Sequence, residues 1–151
     1  MNGSGEGHRL TAPCGLCCAD CIPSRREIFD TARILKAMLE ENHIEEYAAL
    51  KAGKMPVFRQ YGVFSEVLEA LIALECPSPC REGGGKPVCR VRECVEERHL
   101  AGCWECEERT SCRTLSPLLS FHPHLAEHLE IIREKGEEQG QEQRRAHYPW
   151  E

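Results

Sequence analysis

The chain has no long apolar run. Nothing in its 151 residues approaches the roughly 18 consecutive apolar residues of a membrane span, so no transmembrane segment is expected. It also lacks an excess of basic charge. Its 19 Lys and Arg against 25 Asp and Glu leave a formal net charge of −6, the wrong sign for a nucleic-acid-binding face. The opening residues, MNGSGEGHRLT, hold no apolar signal core, so a soluble, cytoplasmic protein is expected. Aspartate is scarce, with Asp20 and Asp30 alone, and no Ser/His/Asp constellation can be read from the pattern. Large apolar residues are thinnest from Cys76 to Cys112, where Val88, Val91, Val95, Leu100 and Trp104 are the whole inventory. That is too little to hold the stretch by hydrophobic transfer alone.

What the chain does have is cysteine. Seven of its eleven lie in that thin stretch, at Cys76, Cys80, Cys89, Cys94, Cys103, Cys106 and Cys112. The other four are Cys14, Cys17, Cys18 and Cys21. Disulfides and metal are the two ways such a stretch can be held. Metal is favoured on three counts. Cys103-Trp104-Glu105-Cys106 has the two-residue spacing of a zinc knuckle. A cytosolic chain keeps its thiols reduced. Eleven is odd, so full pairing within one chain cannot occur. A structural zinc site contributes on the order of 10–16 kcal/mol, which matches the roughly 5–15 kcal/mol net stability of a whole domain.

All-thiolate ligation suits zinc or an iron–sulfur cluster. The knuckle and the dispersed pairs point to zinc, two ions or more, held by Cys14, Cys18, Cys21, Cys76, Cys80, Cys89, Cys94, Cys103, Cys106 and Cys112. Adjacent Cys17 and Cys18 cannot both face one ion without strain, so one is spare. Spacing does not say which thiols share an ion, but the N-terminal trio must borrow at least one ligand from the 76–112 stretch. Two alternatives stay open. One is an iron–sulfur redox protein: Cys14-x3-Cys18-x2-Cys21 has the spacing by which radical enzymes using S-adenosylmethionine hold a four-iron cluster, although 151 residues cannot supply their barrel. The other is a metal-dependent enzyme with one open site, using Cys17 as a reactive thiol. Among the histidines, His99 is the first candidate for a mixed site and His122 the next, while His124 and His128 read as solvated.

The elements expected are helices. Ser24 and Glu27 fit a capping box, opening a helix with Ile28, Ala32, Leu35, Met38 and Leu39 on one face. Asn42-His43 breaks it, and a short helix follows. Pro56 opens a third, whose stripe of Phe58, Tyr61, Phe64, Leu68, Leu71 and Ile72 is expected at the centre of the core. A last helix follows Pro123, with Leu125, Leu129 and Ile132 inward. The fold expected is mainly α, a small helical domain with cysteine-rich, metal-stabilised loops. Residues 1–11 are expected to be disordered, 12–135 to form a single metal-binding domain, and 136–151 a polar, solvated arm.

Cys14-Gly15-Leu16, then Cys18 and Cys21, then helices, then a cysteine block ending in Cys103-x-x-Cys106 and Cys112, resembles a known family. This is the prokaryotic cysteine-rich family designated domain of unknown function 3795. The resemblance covers most of residues 12 to 140. It implies a metal-binding domain with no established reaction. The closed all-cysteine sites and the lack of an acid–base pair point instead to an accessory or protein-interaction module, with an unknown protein partner. Three positions depart from the pattern. Ile22 separates Cys21 from its proline, Cys17 is extra, and Cys76 to Cys80 is one residue wider than the usual pair.

Overall fold

The computed structural model describes residues 5–151. Among them are eight helices and no strand: α1 (Glu6–Leu10), α2 (Arg26–Glu41), α3 (Ile44–Lys51), α4 (Tyr61–Ile72), α5 (Arg90–Glu97), α6 (Ser116–Phe121), α7 (Leu125–Lys135) and α8 (Glu137–Gln143). No helix among the described residues is long and apolar enough to cross a membrane. The fold is mainly α, as the periodicity implies. It divides into two compact units where one was expected: residues 25–75, and residues 1–24 together with 76–151.

The 25–75 unit holds α2, α3 and α4. The expected capping box is not made. Ser24 sits in the 3-10 turn Ile22–Ser24 and donates its backbone N–H to the Cys21 carbonyl, so α2 starts after Arg25 with no side-chain cap. Asn42 does end α2, its side-chain amide donating to the Met38 carbonyl at 2.8 Å, and His43 takes a left-handed φ of 50°. Only Phe29, Ala32, Ala48 and Leu68 are buried in this unit. The inward face of α2 keeps Ala32 of the expected stripe but adds Phe29, while Ile28, Leu35 and Met38 are exposed. Nor is α4 the centre of the core. Leu68 is its one buried residue, while Val63, Phe64 and Val67 face outward. Hydrophobic period identifies an apolar face, but a three-helix unit has too few neighbours to cover every such face.

The other unit carries the main core, built from Val91, Trp104, Leu115, Leu125, Leu129 and Ile132. Val91 comes from α5, Trp104 from the knuckle, and the last three from the inward face of α7. Cys14, Cys89, Cys103 and Cys112 pack against it. Residues 1–4 of the expected disordered start lie outside the described residues, and Glu6–Leu10 is helical. The expected solvated arm is folded back. Helix α8 packs on α7 and α1, and His147 and Tyr148 are buried. Its polar residues are used in specific bonds: Gln141 Nε2 donates to Thr11 Oγ1 at 2.6 Å, and His128 Nε2 meets the Gly140 carbonyl at 2.8 Å.

Candidate metal centre

The N-terminal cysteines sit on two tight turns. An isolated antiparallel bridge pairs Thr11 with Cys17, and the Ala12 N–H donates to the Leu16 carbonyl at 2.8 Å. Cys14 stands at the tip of this turn. Gly15 beside it has φ +92°, and a Cβ there would lie 2.5 Å from Leu129 Cδ2, so only glycine lets the tip seat on the core. The second turn is Cys18–Asp20, closed by the Cys21 N–H on the Cys18 carbonyl at 3.2 Å. The distant knuckle repeats it: Cys103–Glu105 is a 3-10 turn closed by the Cys106 N–H on the Cys103 carbonyl, also at 3.2 Å. Each two-residue cysteine pair thus has the same backbone, which carries both sulfurs at the ends of one turn. The first tip and the knuckle are joined directly, since the Cys103 N–H donates to the Pro13 carbonyl at 2.8 Å.

The Cys76–Cys89 loop brings two further thiols to the N-terminal turn. The Cys76 N–H donates to the Pro23 carbonyl at 2.8 Å. Sixty-two residues beyond Cys18, the Cys80 N–H donates to the Cys18 Sγ at 3.4 Å. The loop tip folds over Cys76, whose Sγ donates to the Ser78 carbonyl at 3.0 Å and accepts from the Gly85 N–H at 2.8 Å. A Cβ on Gly84 would stand 1.6 Å from the Ser78 oxygen and 3.0 Å from the Cys76 Sγ. The run Gly83-Gly84-Gly85 therefore cradles the Cys76 sulfur. Arg92 holds its shape by donating to the carbonyls of Cys80, Gly84 and Lys86. Arg81 binds the Thr11 and Ala101 carbonyls and Glu137, and lies over the Trp104 ring at 5.5 Å. Neither arginine was singled out in the sequence. Their signal was faint: a long side chain with five donors beside a loop poor in regular structure.

Electrostatics sort the thiols. Cys21 feels the charges of Cys18 and Cys76, and Cys80 feels Cys18, Cys14 and Cys76. Cys103 feels Cys14, Cys112, Cys106 and Cys94, while Cys14 feels Cys89 and Cys18. Two sets of mutually interacting thiols follow, Cys18, Cys21, Cys76 and Cys80 in the first and Cys94, Cys103, Cys106 and Cys112 in the second, with Cys14 acting on members of both. Burial pushes the Cys14 thiol up to about 11 and, helped by its neighbours' charges, Cys103 up to about 12. Cys18 is held down to about 6 because Cys80 donates to it, and the same bond drives Cys80 upward. Arg98 faces the second group, its guanidinium 3.6 Å from the Cys106 Sγ. Cys17 is buried, within the electrostatic reach of Asp20 and Arg144.

The histidines part from expectation. His99 is exposed in a left-handed position after α5, with φ 55°. His128 is buried rather than solvated, and its burial lowers its proton affinity. His122 is buried too, with Nδ1 2.7 Å from the His147 carbonyl. Among the described residues, no three His, Cys, Asp or Glu side chains stand in a geometry that closes on one metal ion. The chemistry of the donors nonetheless fits a soft cation: eleven thiols within one unit, amide donors on two of the sulfurs, and a glycine cradle that a Cβ would fill.

A family model matches residues 10–117, from the turn before Cys14 to five residues past Cys112. The chain belongs to the family described as protein of unknown function, DUF3795. The DUF3795 match takes in all eleven cysteines and stops before α7, so the likeness ends earlier than residue 140, and α7, α8 and the buried His147-Tyr148 lie beyond it. No curated protein and no solved structure matches the chain.

Proposed function

We propose that this DUF3795 protein is a cytoplasmic zinc-binding accessory module whose metal sites are structural. Cys18, Cys21, Cys76 and Cys80 would hold one ion, and Cys94, Cys103, Cys106 and Cys112 a second. The observation that carries the reading is the repeated 3-10 turn: two Cys-x-x-Cys pairs with one backbone, each within electrostatic range of two further thiols from elsewhere in the unit. Four thiolates close a tetrahedral site and leave no open position for substrate, which supports a structural role over catalysis. A bound zinc ion would supply the positive charge that lets these crowded, desolvated thiols ionise. The exposed apolar side chains of the 25–75 unit support an accessory role exercised on another protein.

An iron–sulfur centre is the second reading, and one observation favours it. Cys14 lies in range of Cys18, and Cys18 of Cys21, so the three thiols of the Cys-x3-Cys-x2-Cys motif share one neighbourhood. Anaerobic purification followed by elemental analysis tests both. Two zinc per chain without labile sulfide is the expected result. Stoichiometric iron and sulfide, with a brown colour, would replace the zinc reading by the second.

A further inference from the structure

The C-terminal residues 144–151 are folded against the first thiol turn by bonds that the packing of α7 and α8 does not require. Tyr148 is buried. Its hydroxyl donates to the Cys21 Sγ at 3.7 Å and accepts the Ile22 N–H at 3.0 Å. One oxygen thus links the backbone amide just past Cys21 to the Cys21 sulfur, and the amide polarises the hydroxyl toward that sulfur. The segment is pinned on either side. Arg144 forks onto Asp20, the residue before Cys21, through Nε and through Nη2 at 3.0 Å. The His147 carbonyl meets His122 Nδ1 at 2.7 Å, and the Glu151 carboxylate accepts the N–H groups of His147 and Tyr148 at 2.7 and 3.1 Å. The Tyr148 ring stacks on Trp150 with centroids 4.8 Å apart and planes at 6°.

We infer that the 144–151 segment is a clamp on the first thiol group, with Tyr148 as the positioning residue that orients the Cys21 sulfur. This rests on the reading of Cys21 as a ligand. It goes beyond the family, because the matched span ends at residue 117 and every residue of the clamp lies past it, with only its partners Asp20, Cys21 and Ile22 inside. The fold gives the hydroxyl a reason to be there. The hydroxyl is the side-chain donor that reaches the Cys21 Sγ, and the Ile22 N–H fixes its direction. The ring alone would fill the same space as a phenylalanine.

The test is Tyr148→Phe in the full chain, with Trp150→Ala as the packing control. Zinc release to a chelator is followed in both, along with the thiolate-to-metal charge-transfer band of cobalt-loaded protein. Loss of a ligand's hydrogen-bond partner typically weakens metal affinity about 10–100-fold. The expected result is that Tyr148→Phe still takes up two ions but releases one of them about tenfold more readily, with a shifted cobalt band. Trp150→Ala should leave that band where it is. Unchanged release in Tyr148→Phe overturns the clamp while the zinc reading stands. Equal weakening at both ions, or the same band shift from Trp150→Ala, also overturns it, since either marks a general loss of packing. A wild-type chain that binds neither zinc nor cobalt overturns the zinc reading itself, and the clamp with it.

Discussion

The two units solve the problem of cohesion in opposite ways. Of the fifteen large hydrophobics exposed among the described residues, twelve belong to the 25–75 unit, including Leu50, Val57, Val67 and Leu74. Its helices have ample apolar surface but bury little of it, and the buried set is Phe29, Ala32, Ala48 and Leu68. The cysteine unit has the reverse economy. Its apolar side chains are few, yet Leu115, Leu125, Leu129 and Ile132 are all but fully buried, and side-chain-to-backbone bonds from Arg81 and Arg92 fasten its loops. Secondary structure does not by itself make a stable core. The better-packed unit is the one with the shorter helices and more irregular chain, because cross-links by polar bonds, and on the reading above by metal, let scarce apolar residues be used completely.

Metal removal should break this comparison most sharply. Both tryptophans, Trp104 and Trp150, lie in the cysteine unit, so tryptophan fluorescence reports that unit alone. Chelation under reducing conditions should remove on the order of 10 kcal/mol of folding energy per closed zinc site, more than a domain of this size has to spare. The expected outcome is a red-shifted tryptophan emission while much of the helical circular dichroism, from α2 to α4, survives. Emission that stays blue in stripped, metal-free protein would mean that packing alone holds the cysteine unit together.

The next largest effect belongs to the other unit. Phe29 is wholly buried and is the largest of its buried side chains. Phe29→Ala should cost about 3–5 kcal/mol by lost transfer and cavity formation. With so few other buried side chains, the unit cannot absorb that loss. Helical signal should fall at lower temperature than in the wild type, with tryptophan emission unchanged across that first transition. A single transition seen together by both probes would show the units to be one cooperative body.

The division itself was not legible in the residues, though several of its parts were, and what was not has a physical reason. The knuckle at Cys103–Cys106, the α2 break at Asn42-His43 and the inward Leu125, Leu129 and Ile132 all follow from local spacing. The partners of the thiols do not, because Cys18 and Cys80 meet across 62 residues and nothing local encodes that. The exposure of α4 was also invisible, since an apolar stripe says which way a helix faces but not whether anything covers it. Helix α8 and the residues after it misled for the opposite reason. Glu, Gln and Arg read as solvated, yet this stretch is held by partners chosen one at a time: Gln141 on Thr11, Arg144 on Asp20, Glu137 on Arg81. Composition carries no trace of such pairings.

The smallest effect is a pH dependence confined to the cysteine unit. Burial, and then the neighbouring His122, pull His147 down to about 4 from an unfolded value near 6.5. His128 is lowered as well, first by burial. Between those limits the unfolded chain binds more protons at these positions than the folded chain does. Stability therefore rises with pH across the window, is complete above about 6.5, and is lost as pH falls toward 4. The groups facing His147 are His122, Asp20, Glu151 and His128, and the two carboxylates act against the lowering without reversing it. Metal loss would also follow acid, since protons compete for thiolates, so the two causes need separating. His147→Gln removes the titrating ring while leaving every cysteine in place. Monitored by tryptophan emission in the presence of excess zinc, this variant should show a shallower decline of stability between pH 6.5 and 4. An identical slope in both proteins would assign the acid sensitivity to the thiols instead.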